Sequence, residues 1–186
     1  MAAVNDHKIH QIDIKGAYLN GKLTSEENIF MRQPPGYAIN GIETKVCHLL
    51  KTLYGLKQSG QHWYQFLVEI MKLLGFLQCK VDQAVLYSRK GTALIIFFVH
   101  VDDCTIVAMS MHLIDSFKAS IKKHVEISNL GELHWILGIE VHCECENKRI
   151  HLSQCAYLNS ILQRYGFEDI KPISLPMETS IKLILA

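Results

Sequence analysis

Three aspartates carry the chemistry this sequence can perform, and two of them are adjacent. Val99-His100-Val101-Asp102-Asp103 ends one apolar run (93–98) and opens a second (104–108). Two β-type runs joined by a tight turn push both carboxylates to the tip of a buried sheet, where solvation is poor and like charges repel. Hard carboxylate oxygens in that setting suit Mg²⁺ or Mn²⁺. Asp also favours turns for its own sake, so an ordinary hairpin is the competing account of the pair. The third aspartate closes the alternating run Ile9-His10-Gln11-Ile12-Asp13-Ile14, a strand with Asp13 on the face opposite Ile12 and Ile14. If the two elements are sheet neighbours, the three carboxylates converge. Two-metal phosphoryl transfer requires such convergence, with ions ~3.5–4 Å apart.

The elements that must position these groups follow from periodicity. Lys15-Gly16-Ala17-Tyr18-Leu19-Asn20-Gly21 reads as a loop or short helical turn, and residues 21–44 as loops, with Asn20-Gly21, Pro34-Pro35-Gly36 and Asn40-Gly41 as turn signals. A short strand is expected over 45–49. Trp63, Phe66, Leu67, Ile70, Met71 and Leu74 recur at helical spacing and predict a helix over 61–74, stopped by Gly75. Strands at 85–87 and 92–100 pair across 89–91. A helix over 111–124, capped by Ser110, turns Leu113, Ile114, Phe117 and Ile121 inward. Residues 141–153 form a hairpin turning at Asn147-Lys148, and a last helix, 154–165, buries Tyr157, Leu158, Ile161 and Leu162 before Gly166. Strands interleaved with helices that cover one face describe an α+β domain with an antiparallel, palm-like sheet.

The blocks in this order resemble those of copia-type retrotransposon reverse transcriptases. Gln11–Gly21 is similar to the first polymerase motif. It is followed by Ile29-Phe30-Met31-Arg32-Gln33-Pro34-Pro35-Gly36-Tyr37, Leu53-Tyr54-Gly55-Leu56-Lys57-Gln58-Ser59, Val101-Asp102-Asp103, Leu130-Gly131-Glu132-Leu133 and Leu137-Gly138-Ile139-Glu140-Val141. The resemblance implies an RNA-directed DNA polymerase, with Asp13, Asp102 and Asp103 as catalytic residues holding two Mg²⁺ (or Mn²⁺) ions. Ile14, Tyr18, Tyr54, Gly55 and Lys57 would meet the incoming dNTP. Tyr18 stands where an aromatic residue excludes a 2′-hydroxyl, against ordinary core packing; Lys57 reaches a phosphate or is a solvated charge at a helix start. His100, Val101 and Gly138 would contact the primer. Implied partners are an RNA or DNA template-primer, dNTP, and the integrase and RNase H parts of a polyprotein, inside the cell and away from membranes.

Two departures from the family pattern stand out. His100 replaces the usual Tyr, placing a group that can become cationic beside the carboxylates. Strand alternation is expected to carry it onto the face of Asp102. Ser59-Gly60-Gln61 replaces Ser-Pro-Arg, exchanging a rigid helix start for a flexible one and deleting a positive charge. Asp13 comes early, so the resemblance implies one palm-centred domain over 1–186, with partial fingers at about 20–60 and without N-terminal fingers, full thumb or RNase H. A non-catalytic retrotransposon remnant that folds and binds nucleic acid or a partner protein is the alternative.

Composition excludes several classes. At 186 residues and a net charge of +1, the chain suits one domain with a real core and lacks the basic surface expected of a whole polymerase. Six cysteines show no disulfide framework, the start is too short for a signal peptide, and the longest apolar run is too short for a membrane span. Cys143 and Cys145 with His142 and His151 resemble a zinc set only in composition, because alternation sends 142 to the opposite side of a strand.

Overall fold

The computed structural model describes residues 2–42, 44–144 and 146–171. In chain order the elements are β1 (Lys8–Ile14), a 3-10 turn (Ala17–Asn20), β2 (Phe30–Arg32), β3 (Val46–His48), α1 (Ser59–Leu73), β4 (Leu77–Gln78), β5 (Val85–Lys90), β6 (Ala93–His100), β7 (Asp103–Ala108), α2 (Met111–Ile121), β8 (Ile127–Glu132), β9 (Trp135–Ile136), β10 (Ile139–Glu144), β11 (Arg149–Ser153) and α3 (Cys155–Tyr165). The protein is α+β. Its main sheet has six strands in the order β4-β5-β6-β7-β1-β8, and every pairing is antiparallel.

Strand alternation sorts this sheet into two faces. Ile12 lies opposite Cys104, Cys104 opposite Val99, Ile106 opposite Phe97 and Phe97 opposite Leu86. These side chains form one buried cluster with Trp63, Leu67, Ile70 and Met71 of α1 and Ile114, Phe117 and Ile121 of α2. Two helices thus cover one face. The other face carries Gln11, Asp13, Asp103 and Thr105, with Gln11 opposite Thr105.

Several boundaries differ from the sequence reading. α1 begins at Ser59, inside the Ser-Gly-Gln block, and α2 stops at Ile121 with Ser110 capping it by accepting the Leu113 N–H at 3.4 Å. β5 extends through Arg89 and Lys90, so its hairpin turns at Gly91-Thr92. β2 forms within the region read as loops, pairing with β3 from Phe30 to Arg32. β10 and β11 make the expected hairpin, joined by β9 in a separate three-stranded sheet. α3 departs most: it buries no residue, and Tyr157, Leu158 and Leu162 are exposed. The spacing defines an apolar stripe, but burial also needs an opposing surface, and no other described element covers it.

Candidate active site

β1 and β7 bring the aspartates together by register. Asp13 lies directly opposite Asp103, and the Ile14 N–H donates to the Asp102 carbonyl at 3.0 Å. Asp102 occupies the two-residue turn between β6 and β7, after Val101 at φ +60°. A β-branched residue there is strained, at a cost of about 1–3 kcal/mol. The conformation is held from behind: the buried Trp63 indole N–H donates to the Val101 carbonyl at 2.8 Å. Because β6 stops at His100, alternation does not continue to Asp102. His100 pairs instead with Asp103 and is exposed.

The carboxylates see one another's charge. Burial, then Asp102 and Asp103, hold the Asp13 carboxyl above its usual range. The same three charges, after burial, push the Cys104 thiol up. Gln11 Nε2 donates to Asp103 at 3.4 Å, whereas Lys15 turns away to pair with Glu126 at 2.5 Å. Among the described residues none of the three aspartates is ion-paired. Nor is any group of three His, Cys, Asp or Glu side chains among those residues arranged to hold a metal ion as it stands. That includes His142 and His151, which pair across β10 and β11, with His151 taken up by Glu144 at 3.3 Å. Cys145 lies outside the described residues.

Beside the aspartates, Tyr18 in the 3-10 turn meets Tyr54 with ring centroids 4.8 Å apart. Burial, then Asp102, Tyr18 and Asp13, raise the Tyr54 phenol, which places it in the carboxylates' field. The Tyr18 carbonyl is fixed by the fully buried Thr52 hydroxyl. Gly21 makes that approach feasible: a Cβ there would stand 2.5 Å from Thr52 Oγ1 and 3.1 Å from the Trp63 backbone nitrogen. Gly55 takes φ +92°, and nothing lies within 4 Å of where its Cβ would be. Lys57 is exposed and makes no ion pair among the described residues. Behind Tyr18 a cavity of about 230 Å³ is bounded by Gly60, Trp63, Ala84, Val99 and Val101.

The structure therefore gathers Asp13, Ile14, Tyr18, Tyr54, Val101, Asp102 and Asp103 around one end of the sheet, with His100 at its rim. Gly138 is not in that sheet: it forms the β9–β10 turn at φ +76°, after Leu137 at φ +51°. Sequence reasoning assigned no site role to Trp63 or Gln11. Gln11 had a signal, since it stands two residues before Asp13 on the same strand face. Trp63 had none beyond its place on the buried stripe of a helix. Below β1, Lys118 donates to Asn129 Oδ1 at 2.7 Å and meets His10 Nδ1 at 3.0 Å, at the bulge in the β1–β8 pairing.

Comparison with known proteins bears on this geometry. The family described as "Reverse transcriptase (RNA-dependent DNA polymerase)" matches residues 1–179. The chain is 35% identical over 184 residues to the retrovirus-related Pol polyprotein from transposon TNT 1-94 of Nicotiana tabacum, covering 98% of this chain and 14% of that protein. It is 33% identical over 181 residues to the Pol polyprotein from transposon RE1 of Arabidopsis thaliana, covering 95% of this chain and 12% of that protein. A putative transposon Ty5-1 protein of Saccharomyces cerevisiae is 29% identical over 89% of this chain and 53% of its own length. The chain thus spans a small part of the two plant polyproteins, and no solved structure matches it. No helix among the described residues is long and apolar enough to cross a membrane. From its ordered blocks and its near-complete match, the chain belongs to the reverse transcriptase (RNA-dependent DNA polymerase) family, among copia-type retrotransposon relatives.

Proposed function

We propose that this chain is the palm-centred nucleotidyl-transfer core of a retrotransposon polyprotein. It joins a dNTP to a primer 3′-hydroxyl on an RNA or DNA template, inside the cell. The observation that carries the reading is the register of Asp13 against Asp103, with Asp102 in the strained turn beside them. Three uncompensated carboxylates at one sheet end are a hard-oxygen donor set that fits Mg²⁺ or Mn²⁺ once the side chains rotate inward. Asp13, Asp102 and Asp103 would hold two such ions, which would supply Lewis acidity toward the primer hydroxyl and the transferred phosphate.

The protein's own residues then bind and orient. Tyr18, braced by Tyr54, presents its ring edge to the sugar and excludes a 2′-hydroxyl. The Ile14 backbone and the open approach at Gly55 line the nucleotide's path, and exposed Lys57 meets a phosphate. His100 and Val101 face the primer terminus, and Gly138 meets the primer strand from the smaller sheet. Residues of about 20–60, including β2 and β3, act as partial fingers, and integrase and RNase H portions of the polyprotein are the covalent partners.

A second reading has its own observation: the three carboxylates do not meet at metal-binding distance as they stand. In that reading the chain is a non-catalytic remnant that binds nucleic acid or a partner protein. Mg²⁺-dependent primer extension on an RNA template decides between them, run beside Asp102→Asn with circular dichroism on both proteins. Extension that vanishes in the variant supports the polymerase; no extension from a folded parent chain supports the remnant.

A further inference from the structure

The helix-covered side of the sheet holds a second cavity, of about 190 Å³, between the β5–β6 hairpin, α2 and the chain leaving α1. β6 is eight residues long, so its ends lie about 23 Å apart. The cavity therefore sits at the opposite end of the strand from the aspartates. Its walls are apolar: Leu74, Phe76, Ile95, Leu113 and Phe117. Phe117 is locked between Phe76 and Phe97, with centroids 5.1 and 5.3 Å away, so the wall is preformed.

Four polar side chains also line the cavity: Ser88, Lys90, Ser116 and Ser120. Ser88 is 8% exposed, lies on the core face opposite Ile95, and its hydroxyl makes no hydrogen bond among the described residues. Every fully buried side-chain polar atom among the described residues has a partner, so this hydroxyl opens onto the solvent of the cavity, where a ligand can meet it. Lys90 follows two residues later on the same strand face, about 6–7 Å along, and lines the mouth. It is exposed and makes no ion pair among the described residues.

The geometry points to a binding site for a small amphipathic carboxylate, one aromatic ring or a short alkyl chain in size. Its body lies against Phe76 and Phe117, and its carboxylate bridges the Ser88 hydroxyl and the Lys90 ammonium. The size is in proportion, since an apolar cavity of about 150 Å³ already accommodates benzene. The Ser88 hydroxyl can donate, and the Lys90 ammonium only donates and carries charge, which favours an anionic head.

The test is an NMR titration of the full chain with benzoate, following backbone amides, with benzyl alcohol as the uncharged analogue. Saturable shifts are expected at Ser88, Ile95 and Phe117, with no change around Asp13. Lys90→Gln, a surface substitution, is expected to weaken binding about tenfold, and benzyl alcohol to bind about tenfold more weakly than benzoate. Ser88→Ala is expected to weaken it severalfold. Absence of saturable shifts at millimolar benzoate overturns the site. Equal affinity for the alcohol, or undiminished binding by Lys90→Gln, overturns its preference for an anion.

Discussion

β6 ends in two turns that share one positive φ and differ in the residue that adopts it. At its start Gly91 takes φ +61°, and at its end Val101 takes φ +60°. Glycine occupies that region freely, and open space surrounds the position of its missing Cβ. Valine does not, yet the turn persists because the Trp63 indole and the Ile14 amide each hold a turn carbonyl. The difference teaches where this fold spends stability: the connector is relaxed, and the turn that carries Asp102 is strained and clamped.

The comparison is tested hardest at the carboxylate end. Asp13→Asn is expected to reduce primer extension by at least about 100-fold, while making the fold more stable at neutral pH. The Asp13 carboxyl titrates above its ordinary 3.8 in the folded protein because burial and the neighbouring aspartates penalise its charge. Between those two values the folded state binds more protons than the unfolded state. Stability therefore falls as pH rises through the window, and the loss persists above it. The asparagine variant escapes this loss. Its melting advantage is expected at about pH 7 and should shrink at about pH 3.5; equal advantage at both would sink the electrostatic account.

Removing the clamp comes next. Trp63→Phe keeps most of the packing but withdraws the N–H from the Val101 carbonyl, at a cost of about 2–3 kcal/mol read by denaturant unfolding. Exchanging the turn residues sharpens the contrast further. Gly91→Val is expected to cost about 1–2 kcal/mol and leave extension per folded molecule unchanged. Val101→Gly should stay within about 1 kcal/mol, since released strain offsets glycine's backbone entropy and the lost packing, yet it should lower extension. If both exchanges affect extension alike, the two turns are equivalent and the contrast is wrong. The smallest effect is expected from His100→Tyr, a few-fold gain in extension at matched folding, because a phenol opposite Asp103 restores packing without an added charge.

Much of the sheet was legible. Alternation at 9–14 identified a strand and its faces, the apolar runs at 93–98 and 104–108 identified two more strands, and helical spacing at Trp63, Leu67 and Ile70 identified the inward side of α1. The shortest elements were not: β2, β4 and β9 exist through their pairing partners, and two or three residues carry too little signal. The site shows the same division. Two aspartates adjacent in a turn are visible in the chain, whereas the part played by Trp63 depends on a hydrogen bond to a residue 38 positions away. His100 shows the limit of periodicity, because one residue at positive φ ended the alternation used to place it.

By itself the sequence determined the family, the three carboxylates and the amphipathic character of each helix, since those reside in residue types and in spacings of two or 3.6. The tertiary structure alone decided that Asp13 faces Asp103, that Val101 is held in a strained turn, that Ser88 looks into a cavity and that no other described element covers the apolar stripe of α3. Each of these is a relation between segments distant in the chain. Periodicity says which side of an element is apolar; only packing says what, if anything, meets it.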